Sequence, residues 1–250
     1  MSVRVERVAV VHPKCIDPDP ADSAPNFGRL ARAYRWMEWV SFGPFLGLCR
    51  AELLPRMGDC KNALVLGDGD GRFTRRLLRE CREIKVHAVD GSAGMLGALT
   101  RNCARDADRL KTELADLRTW QASVTSAHMF DLVVTHFFLD CLSTDEVLAL
   151  GARIGPLLAP GALWVVSEFA IPEGWFGRLV AGPVVQGLYV AFGLLTGLHT
   201  RTLPDYASAL SGAGFRRIES RARLGGLLVS ELWTPVERSF AHPLDHPFPT

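Results

Sequence analysis

The spacing of apolar residues along this chain changes several times, and each change marks an element. Ala63–Leu66 is a continuous apolar run, the pattern of a strand buried on both faces. Over Arg72–Arg82, Phe73, Leu77, Leu78 and Cys81 share one face at helical spacing, which predicts a helix. Lys85–Val89 is predicted as a second strand ending at Asp90. Ser92 stands where an N-cap belongs, ahead of Met95, Leu96, Leu99 and Cys103 at helical spacing. Glu113–Ala115 is predicted as a short third strand ending at Asp116, and Phe130–Thr135 as a fourth. Ser143-Thr144-Asp145-Glu146 has capping-box form and opens a helix predicted to stop before Pro160-Gly161. Ala162–Ser167 is the fifth predicted strand, and Pro204 suits the first turn of a helix ending at Gly214. Phe215–Arg221 and Leu227–Trp233 flank Gly225-Gly226 as a β-hairpin.

Strands that alternate with helices imply an α/β fold, a doubly wound and mostly parallel sheet with helices on both faces. The terminal hairpin adds an antiparallel strand at its edge. Residues 1–26 form an N-terminal extension; positions 13–26 hold four prolines and three aspartates, a loop composition. Residues 27–61 are predicted as a mostly helical segment broken at Gly43-Pro44. The main domain covers 62–235, with an apolar insertion at about 172–200, and a proline-rich tail follows from 236 to 250.

The composition narrows the partners. A chain of 250 residues suits one large domain with modest additions. A net charge of +1, without a basic face carrying interleaved aromatics, gives no reason to expect nucleic acid. Six scattered cysteines with no CxxC pair argue against a zinc site and a disulfide framework, and favour a reducing compartment. The apolar run Val8–Val11 is too short for a secretory signal, so a cytoplasmic location is expected.

The candidate chemistry lies at the strand ends, where open α/β sheets bind ligands. Gly67, Gly69 and Gly71, with Asp68 and Asp70 between them, follow the first strand. Such a turn lets the main chain lie against a nucleotide cofactor, although a glycine-rich turn also simply connects elements. Asp90, followed by Gly91, offers a carboxylate for a ribose diol, or a cap for the next helix. Asp116-Leu117 offers a carboxylate and an amide to an adenine edge, or a solvated loop. Thr135-His136 closes the fourth strand, nearest the reacting centre. A dinucleotide loop needs a third glycine in G-x-G-x-x-G, and neither frame supplies it: Thr74 or Arg72 stands there.

Together, in order and spacing, these motifs resemble the class I S-adenosylmethionine-dependent methyltransferases over roughly residues 27–235. Val65-Leu66-Gly67-Asp68-Gly69-Asp70-Gly71 is similar to the family's first motif. Residues 89–96 are similar to the second, with Asp90 in the ribose position and Met95 alongside. Ala115-Asp116-Leu117 is similar to the adenine-side motif, 130–136 to the fourth, and 157–163 to the turn before strand five. The resemblance implies a seven-stranded sheet, S-adenosylmethionine as cofactor, and a small-molecule acceptor. It also implies that an early aromatic, here Tyr34, closes over the cofactor. One position departs: the family usually carries an acid two residues before the first glycine, and here it is Val65. Asp68 and Asp70 are the candidates to compensate at the methionine end.

Methyl transfer from a sulfonium is an in-line displacement that rests on alignment and water exclusion. A hydroxyl acceptor also needs a base. His136 is the first candidate, because it closes strand four and an imidazole titrates near neutrality; Asp140 and Glu168 are further candidates, with Glu168 expected either to orient an acceptor or to pair with an arginine. Leu179–Leu198 has no charged residue across a bilayer-spanning length. Its place between strand five and the last helix, with Gly182, Pro183, Gly187 and Gly193 inside it, favours a lid over an apolar acceptor. Peripheral membrane contact and a true span are the alternatives. Val184, Val185, Leu188, Tyr189, Phe192 and Leu195 are expected to form its apolar face, led into by Trp175 and Phe176. A non-catalytic binding protein and a nicotinamide enzyme are the competing readings, and no oligomeric state is implied.

Overall fold

A computed structural model describes residues 44–122, 129–175, 177–187 and 203–236. Helix α1 (Phe45–Ala51) starts directly after Pro44, at the break expected from Gly43-Pro44. A short 3-10 turn at Leu54–Met57 leads to strand β1 (Asn62–Leu66). Helix α2 (Arg72–Glu80), β2 (Lys85–Asp90), α3 (Ala93–Asn102) and β3 (Leu110–Leu114) follow. Then come β4 (Phe130–His136), α4 (Thr144–Ile154) and β5 (Leu158–Phe169). Helix α5 (Tyr206–Gly212) and the hairpin β6 (Phe215–Arg223) and β7 (Leu228–Pro235) complete the described residues.

The sheet has seven strands in the order β3-β2-β1-β4-β5-β7-β6. The first five are parallel, and β7 runs antiparallel between β5 and β6. Alternate residues of the central strands feed two cores. Leu64, Leu66, Val133, Trp164 and Val166 pack with α4 and α5 through Val147, Leu150, Ile154 and Leu210. Ala63, Val65, Leu132, Val134 and Val165 pack with α2 through Phe73, Leu77 and Leu78. Helices on both faces explain why the central strands read as unbroken apolar runs. Val65 is thereby committed to the core on the α2 side.

Several boundaries moved for local reasons. Helix α4 ends at Ile154, ahead of a 3-10 turn containing Pro156, because an interior proline lacks the amide that the helix needs. Strand β5 then runs straight through Pro160-Gly161, with a register irregularity against Phe130 and Leu132 absorbing the misfit. Strand β3 covers Leu110–Leu114 rather than Glu113–Ala115; it is an edge strand, and its exposed residues hide its period. Asp205 rather than Pro204 starts α5, its carboxylate accepting the Ser208 amide at 2.9 Å. Ser92 and Ser143 cap α3 and α4 as expected, the latter in a full capping box.

The first part of the apolar segment is helical: a π-turn at Gly177–Ala181 continues into a helix over 182–187. Ala181 and Val185, one turn apart, face Leu46, Cys49, Leu227 and Leu228. Val184 is 39% exposed, so it does not share the buried face expected of it. Leu188 to Leu195 lie outside the described residues, as do Phe176 and Tyr34. Among the described residues, no helix is long and apolar enough to cross a membrane.

Candidate active site

Strand register brings the candidate residues to one edge. Leu66 of β1 is level with Val89 of β2 and with Thr135 of β4, so Gly67, Asp90 and His136 stand side by side at the next step. Asp90 is level with Leu114, which places Asp116 two residues beyond it. The glycine loop turns there with φ of 67° at Gly67, 59° at Gly69 and 77° at Gly71. Gly67 and Gly71 permit close approach: a Cβ on Gly67 would meet the Phe138 ring, with Cγ at 2.6 Å, and one on Gly71 would lie 2.9 Å from the Leu99 backbone. Gly69 is the open one, where a Cβ would meet only the Met95 sulfur at 3.9 Å.

Carboxylates tie the loop down. Asp68 Oδ2 accepts the Thr74 amide at 2.8 Å and the Thr74 hydroxyl at 2.7 Å, so it serves the first turn of α2. Burial pushes its pKa up to about 6, against the opposing pull of Thr74 and Arg50. Asp70 Oδ1 accepts the Arg72 Nε at 3.0 Å, and its carbonyl accepts Asn102. Asp90 plays both parts expected of it as alternatives. Its Oδ1 accepts the Ser92 amide at 2.8 Å, at the head of α3, and its Oδ2 accepts the Gly69 amide at 3.2 Å. Burial raises its pKa while these two amides lower it. The carboxylate is only half-buried and keeps lone pairs free for a diol.

Asp116 is exposed, with Oδ1 accepting the Arg118 amide; Leu117 is buried in the core, its carbonyl accepting Arg153. The Leu117 side chain therefore faces away from a ligand, and only the backbone there is placed for one. Thr135 is likewise turned inward: its hydroxyl accepts the Trp164 indole N–H at 3.1 Å within the core. Gly91 is exposed beside Asp90, with a would-be Cβ 3.7 Å from the Ala115 carbonyl.

His136 closes β4. It does not titrate near neutrality: burial, and then the charge of Arg50, hold its pKa well below the usual imidazole range. The ring is 3% exposed and stands edge-on to Phe73 at 4.3 Å, and neither nitrogen has a hydrogen-bond partner. A neutral imidazole has one N–H to donate and one lone pair to offer, so two buried hydrogen-bonding positions at this edge are unmet. Of the two roles expected of Glu168, the arginine pair is not formed among the described residues. Instead of an arginine it binds the backbone after β4, with Oε1 accepting the Phe138 amide at 3.0 Å and the Leu139 amide at 2.7 Å.

Three neighbours escaped the sequence reading. Arg50 of α1 places its guanidinium 5.1 Å from the Phe137 ring centre and bears electrostatically on Asp68 and His136. Its one signal was a lone charge closing an apolar helix. Phe137 has a positive φ of 53° and packs on Phe169 at 4.9 Å, and Phe138 covers Gly67. The Phe137-Phe138 pair lies just past the predicted end of the fourth strand, with no local motif to mark it. The open side of Gly69, the Asp90 carboxylate bonded to its amide, and the unmet His136 nitrogens fit a nucleoside bearing a polar tail, such as S-adenosylmethionine.

Comparison with known proteins agrees. Residues 63–161 match a family model described as a methyltransferase domain. A carboxy-S-adenosyl-L-methionine synthase of Shewanella frigidimarina is 32% identical over 130 residues, 47% of this chain and 51% of that protein. This chain thus spans about half of that relative's length. In fold, it is similar to an O-methyltransferase family 2 protein from Planctomyces limnophilus in complex with apigenin, with a TM-score of 0.62 at 15% identity, covering 86% of this chain and 63% of the other. It is also similar to the mitomycin 7-O-methyltransferase, with a TM-score of 0.61 at 14% identity, covering 86% and 62%. Residues 63–161 are thus similar to a methyltransferase domain, and the chain shares the fold of S-adenosylmethionine-dependent methyltransferases.

Proposed function

We propose that this protein transfers the methyl group of S-adenosylmethionine to a small, apolar or aromatic acceptor. The observation that carries this reading is the alignment of Gly67–Gly71, Asp90 and Asp116 at successive strand ends, with Asp90 bonded to the Gly69 amide. When bound, the cofactor supplies a methyl already activated on a sulfonium. Asp90 would accept from the ribose hydroxyls, while Asp116 and the adjoining backbone meet the adenine. Gly69 and Met95 would border the sugar, and Asp68 and Asp70, with Arg50 nearby, the methionine end. Tyr34 is assigned as a cover and Thr135 a main-chain role. His136 would serve as a hydrogen-bonding group more readily than as a base, because both its burial and Arg50 oppose a proton.

An apolar acceptor is supported by Phe137 and Phe169, by the exposed Trp175 and Leu179 of the segment assigned as a lid, and by the exposed Ile171 just ahead of it. The apigenin complex and the mitomycin enzyme, both small-molecule cases by name, point the same way. The buried thiols of Cys49, Cys60, Cys81 and Cys103 suit the cytoplasm. Methyl-labelled S-adenosylmethionine offered with apigenin, catechol and 1-naphthol tests the proposal: label should move into an organic-soluble product. Cofactor binding without transfer to any acceptor of a wide panel would favour the non-catalytic reading. His136→Ala should keep its single-turnover rate; a large loss would restore the base role.

A second reading follows from the Shewanella relative, whose name describes modification of the cofactor itself. Arg50, a cation at the methionine end, favours a site that accommodates an additional carboxylate. Mass spectrometry of the nucleosides bound to purified protein separates the two: a carboxylated cofactor supports the second reading, and the unmodified one the first.

A further inference from the structure

The pairing of β4 with β5 ends abruptly beside the glycine loop. The ladder runs through His136 and Ser167, and the Phe137 amide still donates to the Ser167 carbonyl at 2.7 Å. Phe137 then takes a φ of 53°, the left-handed region that a bulky residue enters only where its surroundings enforce it. The chain leaves the sheet there, and the next two amides turn away from the ladder. One side chain meets both. Glu168, which follows Ser167 and is buried near the end of β5, accepts the Phe138 amide at 3.0 Å and the Leu139 amide at 2.7 Å, both on Oε1. The turn also splays two adjacent rings. Phe137 joins Phe169 beside the cluster shared by α1 and the segment over 177–187. Phe138 packs against the core on the α4 side, and its ring lies on Gly67, where a Cβ would stand 2.6 Å from the ring Cγ. The ring thus touches the main chain of the loop itself.

We propose that Glu168 is a positioning residue for the cofactor: by holding the two amides after Phe137 it keeps the turn left-handed and seats the Phe138 ring on Gly67, and so sets the grip of the glycine loop on S-adenosylmethionine. The proposal rests on the methyltransferase reading above and extends it by tying the end of β5 to the donor loop.

The physical chain has three links. A backbone N–H in a buried turn must be bonded, and Glu168 bonds two of them at once. Those bonds offset the strain at Phe137, because a turn relaxed to negative φ would carry the Phe138 and Leu139 amides away from Oε1. The same relaxation would lift the Phe138 ring from Gly67. The loop would feel this at once: the Gly67 amide donates to the Val89 carbonyl at 2.9 Å, and the Gly69 amide donates to Asp90 at 3.2 Å. Two other roles for Glu168 make different predictions. A residue that only fills and stabilises the core alters stability and leaves the loop as it was. A carboxylate that acts on an acceptor loses its function equally in Glu168→Gln and Glu168→Ala. A positioning residue is rescued by glutamine, whose amide oxygen accepts the same two N–H groups.

Hydrogen exchange of the ligand-free protein, followed over Phe137–Cys141 and over Gly67–Gly71, reads the link without any cofactor, and calorimetry with S-adenosylmethionine reads its consequence. Glu168→Ala should speed exchange in both segments and weaken cofactor binding about tenfold, and Glu168→Gln should restore most of both. Phe138→Ala should speed exchange over Gly67–Gly71 as well, and the affinity losses of Phe138→Ala and Glu168→Ala should not add in the double variant. Wild-type exchange and affinity in a folded Glu168→Ala protein, a glutamine variant as weak as the alanine one, or fully additive losses each overturn the positioning role. Should Glu168→Ala fail to fold, unchanged loop exchange in Phe138→Ala overturns it instead. A folded wild type that does not bind S-adenosylmethionine overturns the methyltransferase reading, while the exchange data on the ligand-free protein still decide whether Glu168 holds the loop.

Discussion

Three side chains decide how the glycine loop works. Phe138 fills the space over Gly67, so Gly67→Ala must push the ring away and hold a positive φ with a side chain. The expected cost is about 1–3 kcal/mol, read by urea unfolding, together with weaker cofactor binding. Asp68 anchors Thr74, so Asp68→Ala should cost about 1 kcal/mol from the lost cap alone. Calorimetry then shows whether Asp68 also replaces the acid missing at Val65: unchanged affinity in Asp68→Ala and in Asp70→Ala would leave the methionine end to other groups. The positions of Gly67–Gly71 and Asp90 were legible in the sequence because spacing along the chain fixes where strands end. Arg50 and Phe138 were not, because their contacts join segments 18 and more residues apart, through an approach that only the fold creates.

Elements were legible where local rules act alone. The Ser143 capping box was read from four residues, and Ser143→Ala should lower stability by about 1 kcal/mol without altering cofactor affinity. Strand β5 was read short, since nothing local announces that a strand continues through Pro160-Gly161; pairing with β4 and β7 carries it. The segment over 177–187 shows the limit of periodicity: its inward residues Ala181 and Val185 were chosen by packing against Leu46 and Leu228, not by the apolar run itself. The exposed Trp175 and Leu179 leave an apolar surface at the start of that segment. Recovery of the protein with floated anionic liposomes would support membrane contact there; protein remaining wholly unfloated supports the lid.

The whole molecule carries the pH dependence of these buried groups. Asp68 holds a proton up to about 6 in the folded state, whereas its ordinary value is 3.8. The native form thus binds more protons in that window, so stability from this group is lost as pH rises through it and stays lost above. The Asp68→Asn protein lacks this slope, and its stability relative to wild type should grow from about pH 4 to about pH 6, by up to about 3 kcal/mol. His136 acts with opposite sign: the unfolded chain protonates below 6.5 and the native ring does not, so its contribution is lost as pH falls below that value. A seven-stranded doubly wound sheet, whose register sets Gly67, Asp90 and His136 level, makes one prediction that needs no acceptor. Titration calorimetry of wild type and Asp90→Ala with S-adenosylmethionine is the most direct test: micromolar binding in the wild type, weakened at least about tenfold in Asp90→Ala by loss of a half-buried charged hydrogen-bond acceptor, is the expected result. No binding of S-adenosylmethionine by the folded wild type, or equal affinity in the two proteins, would contradict the site.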